Sequence, residues 1–533
     1  MRVVTDPPRR AIAAVGVAVL VGSMLVGSSL ASAAPTNIGP STVTAPYVLP
    51  VAPGVETTSI FTVSDAAAAD DGYEMTGIPD GLGAFRQGST LFVHMNHELG
   101  QTQGTVRRHG QAGAFVSRLL IDATTLRVKK GADWINPGVH YWDYPAGAFA
   151  AAPEGFGTSD LPAFARFCSG DLTTEGQFFS TSAGAGYKGA IYFANEEVGP
   201  DGRAFAVLKS GDAWQLPRLG LFAWENTLAA FNTSATTVVM GNEDQSRASG
   251  TTIDLSQLWV YVGTKERSGS PIEKAGLHNG TNFVVRVGDG PRDDATVRAL
   301  IAGDPDGEVR FDLTEVDWNR SGADQNTEAL AEGLSLNRIE DGEFDPFNKN
   351  VYYFLTTEGS PADPPETPAR DGGGLWRLTF DDVENPLLGG TLELLLDGTE
   401  AIPDLYPNDG IAESKLNKPD NMTIDTHGNI LIQEDPGGNA HIARIVGYRI
   451  SDGALGVVAR FDPALFSGAT PMTIDEESSG IIDTEALLGP GTFLFDAQVH
   501  TSVGLDNIVT QVEHGQLLKL FVPEWDAVYG PVT

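Results

Sequence analysis

Among 533 residues there is one cysteine, Cys168. No intramolecular disulfide can form, so cross-links do not hold this fold together. Basic residues are also scarce. Lys and Arg number 34 against 70 Asp and Glu, for a formal net charge of -36. Phosphate backbones need clustered Lys and Arg, so this balance argues against a nucleic-acid partner. The same shortage argues against docking on an anionic membrane surface. Past residue 33 no stretch reaches the roughly 18 uninterrupted apolar residues of a membrane-spanning helix. Helical periodicity is sparse as well, with Asn326 to Leu334 as its best candidate. Disorder is excluded by what remains, since 41% of residues are hydrophobic and 20% charged.

What the chain does have is turn chemistry and short β-rich runs. Gly 62 and Pro 32 suit many tight turns. Runs such as Thr90 to His94, Phe115 to Ile121, Ala190 to Ala194, Leu258 to Val262, Val351 to Leu355 and Gln516 to Phe521 are bounded by Gly, Asn, Asp or Pro. Two segments carry a finer pattern. Pro419 to Gln433 reads strand, Asp/Gly turn, strand, and Ile339 to Phe354 does the same around Asp345-Pro346. Radial repetition of such units buries both sheet faces. The expected fold is all-β, a single β-propeller of about six blades, with long loop insertions and few short helices. A pair of β-sandwich domains is the alternative. Ser360 to Gly374, rich in Pro, Asp and Gly, reads as a surface loop within a blade.

Residues 1–33 read as an export signal. Arg2, Arg9 and Arg10 form a basic start, Ala11 to Leu30 is apolar, and Ala31-Ser32-Ala33 is an A-x-A cleavage pattern. The mature domain is then 34–533, secreted and free of the membrane after cleavage, by a Sec or twin-arginine route. An uncleaved membrane anchor is the other reading of this segment. Export makes an unpaired Cys168 notable, because a free thiol outside the cell is open to oxidation. It is a buried inert thiol, a metal ligand or a nucleophile.

Acidic residues recur at the ends of apolar runs: Glu98, Glu196 and Glu197, Glu225, Glu243 and Asp244, Glu340 and Asp341, Asp420 with Asn421, Glu434 and Asp435, and Glu476 and Glu477. In a propeller, corresponding strand ends converge on one mouth of the axial channel. Carboxylates gathered there repel one another unless a cation joins them. Oxygen-rich sets suit Ca²⁺, and a thiolate would admit a transition metal. The competing reading of each pair is a solvated turn in an acidic protein. Arg338 and Glu340, at strand spacing, either share a channel face with the arginine as a phosphate fork or form a surface ion pair. No GxSxG, HExxH or P-loop pattern is present.

Several short segments in one order resemble the PhoX-type bacterial alkaline phosphatases. They are Phe92 to Glu98, Leu219 to Glu225, Gly241 to Asp244, Leu258 to Lys265, Pro271 to Leu277, Arg338 to Asp341, Lys418 to Asn421, Asp475 to Asp483 and Phe495 to His500. The resemblance implies a secreted, monomeric propeller that hydrolyses small-molecule phosphomonoesters with a cluster of Ca²⁺ and a pair of Fe³⁺ ions. It implies that Cys168 is an iron ligand, that Arg338 and Glu340 lie in the phosphate site, and that Glu243 or Asp244 is an acidic metal ligand. Glu98, Glu196, Glu197, Asp420, Asn421 and Glu476 complete the expected metal set. Two departures from the family pattern are visible. A Gly-rich stretch after the cysteine is absent, and Trp224 stands where a His is expected. Two rival readings rest on the same residues. One is a Ca²⁺-dependent lactonase or esterase, which Pro419-Asp420-Asn421 also resembles. The other is a binding module with structural Ca²⁺ alone.

Overall fold

The computed structural model describes residues 36–65, 69–151, 162–245, 256–357, 373–403, 415–438 and 441–530. The expected export signal lies outside the described residues, as does most of the expected loop from Ser360. The last residue of that loop, Gly374, instead opens the strand Gly374–Phe380.

Strands dominate, and they group into six blades of antiparallel sheet. Blade I is Pro79–Gln87, Thr90–His97, Phe115–Asp122 and Val128–Asp133, from the axis outward. Blade II runs Phe167–Leu172, Ile191–Glu196, Ala204–Leu208 and Ala213–Gln215, with Val139–Asp143 added in parallel at its outer edge. Blade III is Trp224–Ala229, Thr236–Glu243, Ser256–Thr264 and Thr281–Arg286. Blade IV is Ile339–Phe344, Val351–Thr356, Gly374–Phe380 and Gly390–Leu396. Blade V is Pro419–Ile424, Asn429–Glu434, Arg444–Arg449 and Ala454–Phe461. Blade VI is Glu476–Asp483, Thr492–Val499 and His514–Phe521.

The chain closes the ring with its own N-terminal part. Val48–Pro50 becomes the outer strand of blade V, and Glu56–Thr62 becomes the outer strand of blade VI. Each innermost strand packs on the next around the circle, and the innermost strand of blade VI packs on that of blade I. This closure shields edges that would otherwise remain open. The approach is close enough to need glycine. A Cβ on Gly81 would lie 2.1 Å from the Gly170 nitrogen of the next blade.

The two turn patterns expected from sequence are present. The Asp425 carboxylate accepts from the amides of His427 and Asn429 (2.9 and 2.8 Å), and Asp345 does the same for Phe347 and Asn348. A long insertion between blades III and IV carries the strand Glu308–Val316, which joins their outer strands, and the helices Asp294–Gly303 and Gly322–Glu332. The second helix starts earlier and stops sooner than its apolar pattern suggests. Ser321 caps its first turn by accepting from the Asp324 amide, and Gly333 ends it, leaving Leu334 to begin the strand Leu334–Leu336. No helix among the described residues is long and apolar enough to cross a membrane.

Candidate metal centre

One local design is repeated at the channel mouth. In every blade the residue after the second strand donates its amide to the carbonyl of the residue before the innermost strand. The pairs are Glu98 to Ile78, Glu197 to Arg166, Asp244 to Ala223, Thr357 to Arg338, Asp435 to Lys418 and His500 to Asp475, at 2.9–3.2 Å. Ile78, Arg166, Arg338 and Lys418 take positive φ of 48°, 45°, 56° and 49°, a cost tolerated where the surroundings fix the backbone. The second residue of each innermost strand then falls on an equivalent position: Asp80, Cys168, Glu225, Glu340, Asp420 and Glu477. Beside it in blades I to V the innermost strand bulges by one residue, which re-aims side chains.

These positions assemble nine ligand-bearing side chains into one arc. Asp80, Glu98 and Cys168 form a first group, and Cys168, Glu197 and Glu225 a second. Glu225, Glu340 and Asp420 form a third, and Asp420, Asp435 and Glu477 a fourth. The ligand atoms within each group lie within 4.8 Å of one another. Shared Cys168, Glu225 and Asp420 link the four. Two groups contain sulfur and two are all oxygen.

The electrostatics are those of charge crowded out of water. Burial, then neighbouring Glu98, pushes the Asp80 carboxyl well above the usual range. Burial with Asp420 does the same to Glu225, burial with Asp244 to Glu340, and burial with Asp435 to Glu477. Asp420 and Glu197 are raised to about 8, chiefly by burial. The Cys168 thiol is raised by burial and by Asp80, to whose Oδ2 it donates at 3.2 Å. Asp80 Oδ1 and Asp420 Oδ1 are buried without a hydrogen-bond partner. Such atoms fit cation ligands better than they fit a closed hydrogen-bond network.

Two arginines stand over the arc. Arg166 reaches Glu98 and Glu197, each at 2.5 Å. Arg338 grips Asp244 through Nε and Nη2 (2.8 and 2.7 Å) and reaches Glu340 at 3.2 Å. Its Nη1 has no partner among the described residues, so the fork is oriented on one edge and open on the other.

Of the residues expected from sequence, the arc contains Glu98, Cys168, Glu197, Glu340 and Asp420. The others stand outside the four groups. Asp244 is taken by Arg338. Glu196 is buried in a bidentate pair with Arg203 (2.6 and 2.7 Å). Glu243 accepts from the Gln257 amide and the Trp259 indole, each at 3.0 Å. Asn421 Oδ1 accepts from the Gly480 amide at 2.7 Å, closing blade V on blade VI. Glu476 turns toward the Ala443 amide (3.5 Å), while its neighbour Glu477 enters the arc. The arc also holds Asp80, Glu225, Asp435 and Glu477, which sequence reasoning left out of the metal set. Asp80 had a usable signal: Pro79-Asp80 repeats Pro419-Asp420 at the start of an innermost strand. Trp224 stacks on Phe222 at 3.9 Å in the core between blades, so the departure from His there leaves the arc untouched.

A cavity of about 680 Å³ opens at the other end of the innermost strands, lined in part by Asp171, Asn226, Asp341, Glu343 and Met422. None of the four ligand groups lies in it.

The fold and this arc define a six-bladed β-propeller whose axial mouth is built from metal-ligand chemistry. A model of the alkaline phosphatase PhoX family matches residues 211–477, which run from the blade II strand Ala213–Gln215 through blades III to V to the start of blade VI. The chain belongs to that family. Among solved structures it is similar to Pseudomonas fluorescens PhoX in complex with vanadate, at 12% identity and a TM-score of 0.56, covering 94% of this chain and 98% of that one. That likeness shows the shared fold. A GH43 β-1,3-galactosidase overlaps 86% of this chain and 93% of its own at 11% identity, with a TM-score of only 0.33. No curated protein matches the chain in sequence.

Proposed function

We propose that the protein is an exported phosphatase that hydrolyses small-molecule phosphomonoesters at the mouth of its propeller. The observation that carries this is the arc of eight carboxylates and one thiol, with the oriented fork of Arg338 beside it. Family membership supplies the reaction class.

The donor sets fit metal ions of two kinds. Hard, all-oxygen groups around Asp420 suit Ca²⁺. The two groups sharing Cys168 add a thiolate to the carboxylates, a mixed donor set that suits a transition ion such as Fe³⁺. Bound there, the ions would reverse the local negative field and stabilise charge on the transferring phosphoryl group. The chain's own part is positional. Arg338, anchored by Asp244, offers Nη1 to a phosphate oxygen. Glu340, held by the same arginine, links the fork to the arc. Arg166 keeps Glu98 and Glu197 in place, and those carboxylates hold its guanidinium charged. We read the chain as a monomer with no nucleic-acid partner, and residues 1–33 as the export signal that delivers it outside the cell.

The test is hydrolysis of p-nitrophenyl phosphate at alkaline pH by protein loaded with Ca²⁺ and iron. Turnover abolished by a chelator and restored by the ions is expected. Absence of turnover in the loaded protein would reject the phosphatase reading.

A further inference from the structure

His500 occupies the blade VI position that holds Glu98, Glu197, Asp244 and Asp435 in four other blades. Its backbone is fixed there by the same bond, from its amide to the Asp475 carbonyl at 3.2 Å. Of the six equivalent positions at this mouth, four hold acids, blade IV holds Thr357 and blade VI alone holds an imidazole. That imidazole has a partner of its own. Nδ1 lies 2.8 Å from the Glu513 carboxylate, which comes from the start of the next strand of the same blade. Nε2 has no partner among the described residues, and the side chain is 28% exposed. A carboxylate accepting from Nδ1–H fixes the ring and stabilises the imidazolium, whose Nε2–H is the proton it can give away.

We infer that His500 is the general acid that protonates the leaving oxygen of the substrate, with Glu513 as its positioning residue. The inference rests on the phosphatase reading above. As water adds to phosphorus, the bond from phosphorus to the leaving oxygen breaks, and the Nε2 proton passes to that oxygen to make a neutral alcohol. The imidazole regains a proton from the attacking water, so one water enters and one alcohol and one phosphate leave. Burial works against a charge on the ring, and the hydrogen bond from Nδ1 to Glu513 favours it.

A general acid matters most when the leaving group is a poor one. Rates on p-nitrophenyl phosphate and on glycerol 2-phosphate separate this role from a structural one, using the full protein loaded with Ca²⁺ and iron. His500→Gln is expected to lose about a hundredfold in kcat/KM on glycerol 2-phosphate and less than about tenfold on p-nitrophenyl phosphate. Glu513→Gln should show the same selectivity in weaker form, and bound metal should match the wild type in both variants. Equal losses on the two substrates would overturn the acid role. Loss of bound metal in His500→Gln would overturn it too, by making the imidazole a ligand. A wild type inert toward both substrates would reject the phosphatase reading itself, an outcome distinct from either.

Discussion

At the scale of single residues, neighbours in sequence have opposite fates. Glu196 and Glu197 are adjacent, yet one is neutralised by Arg203 between strands and the other joins Cys168 at the mouth. Glu476 and Glu477 divide in the same way. Side chains alternate along a strand, so adjacent acids at a strand end point to opposite sides. Which member turns inward depends on where the strand ends, and that is poorly legible in a sequence. Cys168 is the sharpest residue-level test. Its thiol is buried beside Asp80 and shared by two ligand groups. Cys168→Ser should lose bound iron and activity and keep the β-rich circular dichroism spectrum. Unchanged turnover would remove it from the site. Arg338→Lys should lower kcat/KM by about 10²-fold, because a point charge cannot keep both the Asp244 grip and the open edge. Retained activity in that variant would assign Arg338 to structure alone.

At the scale of elements, the strand–turn–strand signatures were legible because Asp425 and Asp345 bond their own turns and need no tertiary partner. The bulges were not legible. They are set by the crowding of six innermost strands around one axis. That crowding also demands Gly81, whose missing Cβ lets the blade II backbone approach. Gly81→Val should therefore lower the melting temperature and reduce bound metal together, because Asp80 follows the displaced backbone. A normal metal content would show the bulge to be incidental. The insertion helix offers a control, since it carries none of the nine ligand-bearing side chains. Ser321→Ala, which removes a cap, should cost about 1 kcal/mol in stability and leave turnover alone.

For the whole molecule, acidic side chains continue along the channel from the arc into the cavity at its other end. Below the arc, burial raises Asp171 to about 7 and Glu343 to about 8. Each stays protonated in the folded state where the unfolded chain has already released its proton near pH 4. Their contribution to stability is thus complete below about pH 4 and is lost as pH rises toward 8. Melting temperatures measured across that range should fall with rising pH, and Glu343→Gln should flatten the decline. An unchanged slope in the variant would show that Glu343 is ionised in the fold. Ring closure is also a property of the whole chain. The outer strands of the last two blades come from Val48–Pro50 and Glu56–Thr62, so the two ends of the domain fold as one unit.

By itself the sequence determined the class of the fold and the kind of chemistry. Turn residues bounding short apolar runs specify antiparallel strands. One cysteine and many strand-end acids supply side chains that could act as ligands, without saying which of them meet. Which of them gather at the mouth belonged to the tertiary structure. Asp80, Glu225, Asp435 and Glu477 lie far apart along the chain, and only the six-fold superposition of strand entries makes them equivalent. Glu196 and Glu243 left the set for the same reason, since their partners Arg203 and Trp259 are supplied by neighbouring strands. A local pattern records which residue types stand at a strand end. Packing around a common axis decides which of them face the channel and which face the core.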